Sequence, residues 1–276
     1  MPELPEVETI ARTLAPDVVG RDILGVAAPD PSALHPDQQS FAALVAGRRI
    51  EAVGRRGKLL LLRLHDQGVI AVHLRMTGRV MAYGPGQEPD RARAVLELSG
   101  GVRLGFSDVR RFGSMHAFAA QGIENWPFYA SLGPEPLTMT ASEFRFRLGQ
   151  GRARIKALLL DQHVVAGIGN IYADECLFRA GIRPDAPAGG ISPRRRDMLF
   201  AAVQVVLAQA IAENGSSIRD YRDAKGDAGA FQNHFRAYGR GGQPCLVCGQ
   251  TMQAMRVAGR TSTFCPRCQP PHAVLE

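Results

Sequence analysis

The chain has 276 residues, of which 45% are hydrophobic, so it is long enough for two domains with well-filled cores. Its formal net charge of +7 and sequence pI near 9.5 favour an anionic partner, although a basic balance alone is only weak support for nucleic acid. No run approaches the ~18 apolar residues of a membrane span and no charged-then-apolar leader opens the chain, so we expect a cytoplasmic protein that does not cross a membrane.

The first predicted element is a helix that starts almost at the N-terminus. Pro5 suits the first turn of a helix, and apolar residues follow it at helical spacing. Removal of Met1 would leave Pro2 with a terminal amine of pKa ~8, against ~10.4 for a lysine, so more of it is unprotonated at neutral pH and able to act as a nucleophile. Glu3 is a neighbouring acid. An ordinary capped helix explains the same residues, and the chemistry alone favours that simpler interpretation.

Short apolar runs between residues 22 and 118 predict β-strands, and their close spacing favours an antiparallel sandwich on which the first helix packs. The predicted strands cover 23–27, 49–53, 58–64, 69–74, 94–98 and 102–106. Segments 28–40 and 84–90 are rich in proline, aspartate or glycine and predict surface loops.

Three turns of this region carry candidate functional residues. Lys58 follows Arg-Arg-Gly in a tight turn, for which a solvated basic turn is the simpler explanation. Met76 follows His73 at a predicted turn tip, and such a methionine is either core or a flexible apolar wedge of the kind inserted between bases. Arg110 and Phe112 lie next to a glycine, and a guanidinium can bind a base edge while a neighbouring ring fills a gap in the stack. Each turn is weak evidence alone.

The pattern changes from strand to helix after a linker predicted at 133–140, where prolines and a glycine cluster. Helices are predicted over 141–149, 154–161, 171–180 and from residue 192 to the Asn-Gly at 214–215. Asn170 is the predicted N-cap of the third helix, where exposed N–H groups suit a phosphate, although simple capping is the favoured explanation. Residues 194–196, three arginines in a first helical turn, predict a solvated run because they oppose the helix dipole.

Residues 216–238 lack a helical or strand pattern, and a loop of that length inside a compact domain is usually functional. Beyond it, two Cys-x2-Cys pairs separated by sixteen residues can supply four thiolates to one tetrahedral zinc ion. With all positions taken by sulfur, that ion would be structural. Arg260 lies on a predicted hairpin between the pairs, and the remaining cysteine, Cys176, is a predicted core residue.

Together these motifs resemble the formamidopyrimidine-DNA glycosylases, bacterial base-excision enzymes whose N-terminal proline is the nucleophile. The resemblance rests on Pro-Glu-Leu-Pro-Glu-Val-Glu-Thr from Pro2, Gly-Asn-Ile-Tyr-Ala around Asn170 and the paired cysteines, in the family's order. It implies an α+β fold, with an N-terminal antiparallel β-sandwich and flanking helices, then a helix-two-turns-helix domain that ends in a β-hairpin zinc finger. The implied regions are a catalytic domain at 1–132, a linker at 133–140, a DNA-binding domain at 141–240 with a lesion-recognition loop at 216–238, and a zinc finger at 241–276.

The resemblance also implies an activity: a DNA glycosylase and AP lyase that removes oxidised purines, such as 8-oxoguanine and formamidopyrimidines, from duplex DNA and cuts the strand by β,δ-elimination. The implied catalytic residues are Pro2, Glu3, Lys58 and Arg260. The residues implied to bind DNA are His73, Met76, Arg91, Arg110, Phe112, Arg152, Asn170 and Tyr238. The residues implied to hold one structural zinc, the sole cofactor, are Cys245, Cys248, Cys265 and Cys268. Damaged double-stranded DNA is the expected partner of a monomer that acts at the nucleoid.

Two departures and two alternatives remain. Val109 stands where the family usually has proline, and Arg91 stands where relatives often carry a histidine. An endonuclease VIII-like relative would prefer oxidised pyrimidines, but usually has glycine in place of Leu4 and lacks the long loop. A zinc-ribbon DNA-binding protein without activity would need neither a free Pro2 nor Glu3.

Overall fold

The computed structural model describes residues 1–149, 151–218 and 221–271, which form two compact units. The first unit comprises Met1–Ser131 with Ile211–Gln232, and the second comprises Leu132–Ala210 with the chain from Asn233 onward. The predicted lesion-recognition loop is therefore divided, since its described residues up to Gln232 belong to the first unit and those from Asn233 belong to the second. The regions predicted from the sequence differ from this division and stay predictions.

The first unit contains two β-sheets. The four-stranded sheet has the order β1-β7-β8-β6, and the five-stranded sheet has the order β2-β9-β5-β4-β3. Neighbouring strands are antiparallel, apart from the parallel pair β2 and β9. The strands are β1 (Ile23–Ala27), β2 (Leu34–His35), β3 (Ile50–Arg56), β4 (Leu59–Leu64), β5 (Val69–His73), β6 (Gly78–Tyr83), β7 (Ala92–Leu98), β8 (Val102–Asp108) and β9 (Ser114–Phe118).

The predicted α+β class with an N-terminal β-sandwich is confirmed, and all six predicted strands are present. Strands β2, β6 and β9 were not predicted. Segment 28–40 is also not entirely loop, because it contains β2 and the start of helix α2 (Gln38–Val45). Asp37 caps that helix by accepting a hydrogen bond from the Ser40 N–H at 2.9 Å.

Helix α1 (Leu4–Val18) packs on β3 and β4, as the sequence predicted. Its apolar face joins the strands in one buried core, which also takes side chains from α2. Large members of this core are Ile10, Leu14, Phe41, Leu62 and Phe106. A further short helix, α3 (Pro127–Ala130), lies at the end of this region. The core thus fixes the start of α1 and the ends of several strands.

The second unit is helical and ends in a hairpin. Its elements are α4 (Ala141–Leu148), α5 (Ile155–Leu160), α6 (Asn170–Arg179), α7 (Pro193–Ala212, whose last two residues belong to the first unit), β10 (Gln253–Val257) and β11 (Arg260–Phe264). The antiparallel pairing of β10 with β11 confirms the hairpin predicted between the cysteine pairs. Helix α6 ends before Gly181, whose φ of +65° suits glycine.

Two local predictions for this unit were wrong. Asn170 is the first residue of α6 and not its cap, which is Gly169, and its side-chain Nδ2 donates to the Thr261 carbonyl. The arginine run is only partly solvated: Arg196 is 3% exposed and donates to the carbonyls of Ile191 and Ala188. The solvated run was predicted from the helix dipole alone. That argument took no account of the segment before the helix, whose carbonyls accept hydrogen bonds from Arg196.

Candidate active site

The start of α1 buries the two residues predicted to do the chemistry. Pro2 is buried and Glu3 is 3% exposed. The Glu3 N–H donates to Glu6 Oε2 at 2.8 Å, which holds the chain end in the first helical turn. The terminal segment is therefore ordered by its own helix, as a rigidly held nucleophile requires.

Glu6 also connects the helix start to the long loop of the first unit. Its Oε1 accepts hydrogen bonds from the Ser216 N–H at 2.8 Å and the Ser216 hydroxyl at 3.1 Å. The Tyr221 hydroxyl donates to the Glu6 carbonyl at 3.3 Å. Burial, with the nearby Glu6 carboxylate, raises the pKa of Tyr221 above its usual range, so the phenol remains a donor. Sequence reasoning missed this role of Glu6, because its partners lie about 210 residues away.

Lys58 lies in the hairpin between β3 and β4, as the sequence predicted. Gly57 has a φ of +56°, which allows the tight turn, and Lys58 is 8% exposed. The hairpin is joined to α1 by the ion pair between Arg55 Nε and Glu8 Oε2 at 2.9 Å. Lys58 is thus carried by a hairpin packed on the helix that begins beside Pro2.

His73 ends β5 and is 7% exposed. Burial, aided by the positive charges of Arg75 and Lys58 and by His116, lowers the pKa of His73 to about 3, so the ring is neutral at physiological pH. Its Nδ1 accepts the Arg75 N–H at 3.1 Å. In a neutral ring the proton therefore sits on Nε2, which makes that atom a hydrogen-bond donor suited to a phosphate oxygen.

The predicted wedge residues, Met76, Arg110 and Phe112, lie on two neighbouring turns. Met76 is 42% exposed and Phe112 is 58% exposed, so two large apolar side chains are accessible at these turns. The Arg110 guanidinium carbon lies 4.9 Å from the centre of the Phe112 ring. The turns are adjacent because β5 pairs with β9 and β6 with β8. The structure thus brings all three residues to one end of the two sheets.

In the second unit, a buried ion pair links α5, α6 and the hairpin. Lys156 Nζ lies 2.7 Å from Asp174 Oδ1 and donates to the Thr261 carbonyl at 3.2 Å. Asp174 Oδ2 accepts the Thr263 N–H at 3.2 Å. Burial raises the pKa of Asp174 to about 6, although the Lys156 ammonium acts in the opposite direction. Sequence reasoning missed this pair, because Lys156 and Asp174 lie on different helices and nothing in their local pattern distinguishes them from solvated charges.

This network joins Asn170, a predicted DNA-binding residue, to the strand that carries Arg260, a predicted catalytic residue. Asn170 Nδ2 donates to the carbonyl of Thr261, which directly follows Arg260, at 3.2 Å. Because an amide nitrogen carries two hydrogens, the second remains for a phosphate oxygen. Arg260 is exposed at the start of β11. Helix α6 thus contributes the Asn170 amide and the hairpin contributes the Arg260 guanidinium, two groups that can bind phosphate.

The remaining predicted residues differ in how they are held. The backbone N–H of Tyr238 donates to Glu175 Oε1 at 2.8 Å, and its ring meets Phe235 edge-on at 5.5 Å between centres. Arg91 and Arg152 are exposed. In the described parts of the chain, neither arginine has a hydrogen bond or ion pair with another predicted site residue.

The four clustered cysteines form a candidate metal centre. Their Sγ atoms all lie within 4.8 Å of one another, including Cys248 to Cys265 at 3.4 Å and Cys245 to Cys268 at 3.9 Å. A tetrahedral zinc ion with Zn–S bonds of about 2.3 Å needs sulfurs roughly 3.8 Å apart, so the donor set fits. The cysteines share a small apolar core with Phe178 of α6.

Comparison with known proteins decides the family. The formamidopyrimidine-DNA glycosylase N-terminal domain matches residues 1–115, the H2TH domain of the same enzymes matches 132–222, and the zinc finger found in FPG and IleRS matches 242–271. The chain belongs to the formamidopyrimidine-DNA glycosylase family. Membership of this family makes the four-cysteine cluster the site of one structural zinc ion.

Individual formamidopyrimidine-DNA glycosylases match this chain over nearly its whole length. The enzyme of Chloroflexus aurantiacus is 49% identical and that of Desulfitobacterium hafniense 44%; the matches cover 98% of this chain and 98% and 100% of those proteins. The crystal structure of MutM (FPG) from Thermus thermophilus has a TM-score of 0.88 at 40% identity, covering 99% of this chain and 100% of that one.

A Lactococcus lactis FPG variant in complex with Fapy-dG-containing DNA has a TM-score of 0.90 at 32% identity, covering 98% of this chain and all of that one. MutM in complex with DNA containing carbocyclic 8-oxo-G has a TM-score of 0.89 at 33% identity, with the same coverage. Within the described residues, no helix is both long enough and apolar enough to span a bilayer.

Proposed function

We infer that this protein is a DNA glycosylase and AP lyase that removes oxidised purines from duplex DNA and then cuts the strand. The observation that carries this function is the match to formamidopyrimidine-DNA glycosylases over 98% of the chain, with an N-terminal Pro-Glu buried at the start of α1. Solved relatives with Fapy-dG or 8-oxo-G in their DNA support oxidised purines as the substrate. A zinc-binding module alone would not need an ordered chain end.

The proposed chemistry begins at Pro2. Once Met1 is removed, the amine attacks C1′ of the damaged nucleotide, and the electrons of the glycosidic bond leave with the base. Glu3 protonates the sugar as the base departs, which leaves an iminium linking Pro2 to the opened sugar. The iminium acidifies the neighbouring C2′–H bond, and loss of that proton expels the 3′ phosphate. Loss of a second proton, from C4′, then expels the 5′ phosphate, and water hydrolyses the iminium to free Pro2. No redox partner is needed.

The proposed DNA contacts are of two kinds: some residues bind phosphates, and others form the wedge. Lys58 and Arg260 offer positive charge to phosphates, while His73 Nε2 and Asn170 Nδ2 offer hydrogen bonds without charge. The wedge residues fill the space left when the damaged nucleotide is turned out of the stack. They are Met76, Arg110 and Phe112. Tyr238, Arg91 and Arg152 complete the proposed set of DNA contacts.

The zinc ion would be held by Cys245, Cys248, Cys265 and Cys268, and it supplies stability to the hairpin and no chemistry to the reaction. The hairpin contributes Arg260 through β11, so the metal acts on DNA binding by holding that strand. As part of the same proposal, the enzyme acts in the bacterial cytoplasm at the nucleoid, where its duplex substrate lies.

Excision from defined duplexes tests this function. We expect release of 8-oxoguanine and strand cleavage from a duplex containing one lesion, with no cleavage of the undamaged duplex. Glu3→Gln should lose base release while still binding the lesion, whereas Glu51→Gln, which changes an exposed carboxylate of β3, should match the unmodified protein. Lesion duplexes left intact by the unmodified protein would contradict the proposal, and preferred release of oxidised pyrimidines would contradict its substrate.

A further inference from the structure

The two turns that carry the wedge residues are built as a pair. Residues 74–77 connect β5 of the five-stranded sheet to β6 of the four-stranded sheet, and residues 109–113 connect β8 back to β9. In the ladders at either side, Gly78 is opposite Asp108 and His73 is opposite Ser114. Both turns therefore cross between the same two sheets at the same end.

Asp108 bonds to both turns, although it is itself only 4% exposed. Its Oδ1 accepts the Thr77 hydroxyl from the first turn and the Arg110 N–H of the second turn at 3.2 Å. Its Oδ2 accepts the Gly113 N–H at 2.6 Å. The Thr77 hydroxyl oxygen also accepts the Arg110 N–H, at 3.2 Å. One carboxylate and one hydroxyl thus join the segment with Met76 to the segment with Arg110 and Phe112.

A buried arginine behind the turns balances the Asp108 charge. Arg93 is 5% exposed, and its Nη1 lies 3.9 Å from Asp108 Oδ2 and donates to the Gly113 carbonyl at 2.8 Å. Its Nε pairs with Asp30 at 2.9 Å. Gly113 must be glycine for this packing, since a Cβ there would lie 2.9 Å from the His73 carbonyl oxygen. A buried carboxylate with this many donors is an ordered anchor.

We propose that Asp108 and Thr77 are positioning residues that join Met76, Arg110 and Phe112 into one preassembled wedge, which enters the DNA as a single body. The proposal rests on the proposed function and goes further, since three side chains on separate turns could equally insert one by one. Val109 is 81% exposed, and a valine leaves its φ free where a proline would fix it, so the side-chain hydrogen bonds order this turn.

Double-mutant cycles on lesion binding test the proposal. Met76→Ala and Phe112→Ala, alone and together, are compared by their dissociation constants for a duplex with a stable abasic-site analogue. We expect the two effects to be non-additive by roughly three- to tenfold, because either truncation already disturbs a shared body. In a Thr77→Val background, which removes the hydroxyl but keeps the volume, that coupling should fall to about one.

Two further measurements separate positioning from general stability. Thr77→Ser restores a hydroxyl and should restore the coupling. The fluorescence of 2-aminopurine placed opposite the lesion should rise less with Thr77→Val than with the unmodified protein, at a temperature where both proteins are folded. A Thr77→Ser variant that recovered the unfolding midpoint but not the coupling would overturn the positioning role.

The outcomes are decisive in each direction. Additive effects of Met76→Ala and Phe112→Ala in the unmodified background would overturn the single-body wedge, and so would coupling that persists in Thr77→Val. In either case, normal cleavage of 8-oxoguanine duplexes by the unmodified protein would show that the proposed function stands. A protein that neither binds nor cleaves lesion DNA would overturn both proposals.

Discussion

The two compact units hold their candidate functional residues by different means. In the first unit, helix α1 and short turns between strands carry Pro2, Lys58 and Met76 on a large apolar core. In the second unit, Asn170 and the hairpin of Arg260 depend on a fully buried ion pair and on four thiolates. Buried charges are costly when a partner is lost, so substitutions in the buried ion pair or the thiolates of the second unit should cost more stability than substitutions of exposed charges in the first unit.

The largest effect should follow removal of a zinc ligand. In Cys265→Ser we expect the bound zinc to fall from one ion per chain to none, with loss of duplex binding, because a structural zinc ion contributes on the order of 10 kcal/mol to the fold that it organises. The first unit should remain folded. Cys176→Ala, at a buried cysteine outside the cluster, is the control and should keep its zinc. Metal analysis that still found one ion in Cys265→Ser would contradict the four-cysteine assignment.

The buried pair offers the next largest effect. Lys156→Met should lower the free energy of unfolding by about 3–5 kcal/mol, because Asp174 is left buried without its partner, and it should weaken DNA binding through Thr261. Adding Asp174→Leu should recover much of that stability. Arg12→Met removes an exposed pair with Glu8 and should cost less than about 1 kcal/mol. If denaturant unfolding showed equal losses of unfolding free energy in Lys156→Met and Arg12→Met, the contrast between the units would be removed.

A smaller effect is expected at the wedge, where specificity and not stability is at stake. Arg110→Ala should reduce discrimination among bases opposite the lesion by ~1–3 kcal/mol, because a guanidinium accepts one pattern of base acceptors and rejects others. The measurement is the excision rate for each of the four opposite bases. Arg111→Ala alters the neighbouring, exposed arginine and should leave the ratios nearly unchanged. Unaltered ratios in Arg110→Ala would count against base reading by this side chain.

The smallest effect near neutral pH concerns the charge state of His73, because its contribution to stability is lost only in acid. Its pKa is lowered to about 3 in the fold by burial and nearby cations, against 6.5 ordinarily, so the native state binds fewer protons than the unfolded state between these values. The stability from the neutral ring is complete above pH 6.5 and is lost as the pH falls towards 3, at up to about 1.4 kcal/mol per pH unit. His73→Gln should lack this slope.

The comparison of the unmodified protein with His73→Gln contains its own control. When the two profiles of stability against pH are subtracted, the contributions of the other titrating groups cancel. Nitrogen NMR of the His73 ring at pH 5 should also find a neutral imidazole protonated on Nε2. A ring that titrates near pH 6.5, or a difference profile that is flat in acid, would show that His73 meets phosphate as a cation.

The sequence predicted most of the first unit because local signals and strand-length apolar runs determine it. Strands β6 and β9 escaped prediction because their half-buried residues depend on pairing with distant partners, such as Gly78 with Asp108. The side-chain partner of Asn170 was equally hidden, since the Thr261 carbonyl that it contacts lies about 90 residues later.

Motif resemblance located candidate residues but not the groups that hold them. Lys156, Asp174 and Asp108 bear ordinary charges in the sequence, and their burial becomes visible only when the fold places hydrogen-bond partners around them. Glu6 was visible as a first-turn carboxylate, yet its bonds to Ser216 required the packed loop. A residue's chemistry can thus be anticipated from its type, whereas its partners follow from tertiary structure.

The central claim is that the terminal amine of Pro2, and not Lys58, attacks the sugar. Pro2 and Lys58 are both buried in the first unit, but Lys58 is proposed to hold phosphate, which favours its charged form and makes it the poorer nucleophile. Borohydride reduction during the reaction should trap a protein–DNA adduct on the N-terminal peptide. An extra residue before Pro2 should abolish trapping without weakening lesion binding, while Lys58→Ala should still form the adduct. An adduct that vanished in Lys58→Ala but survived a blocked N-terminus would contradict the account.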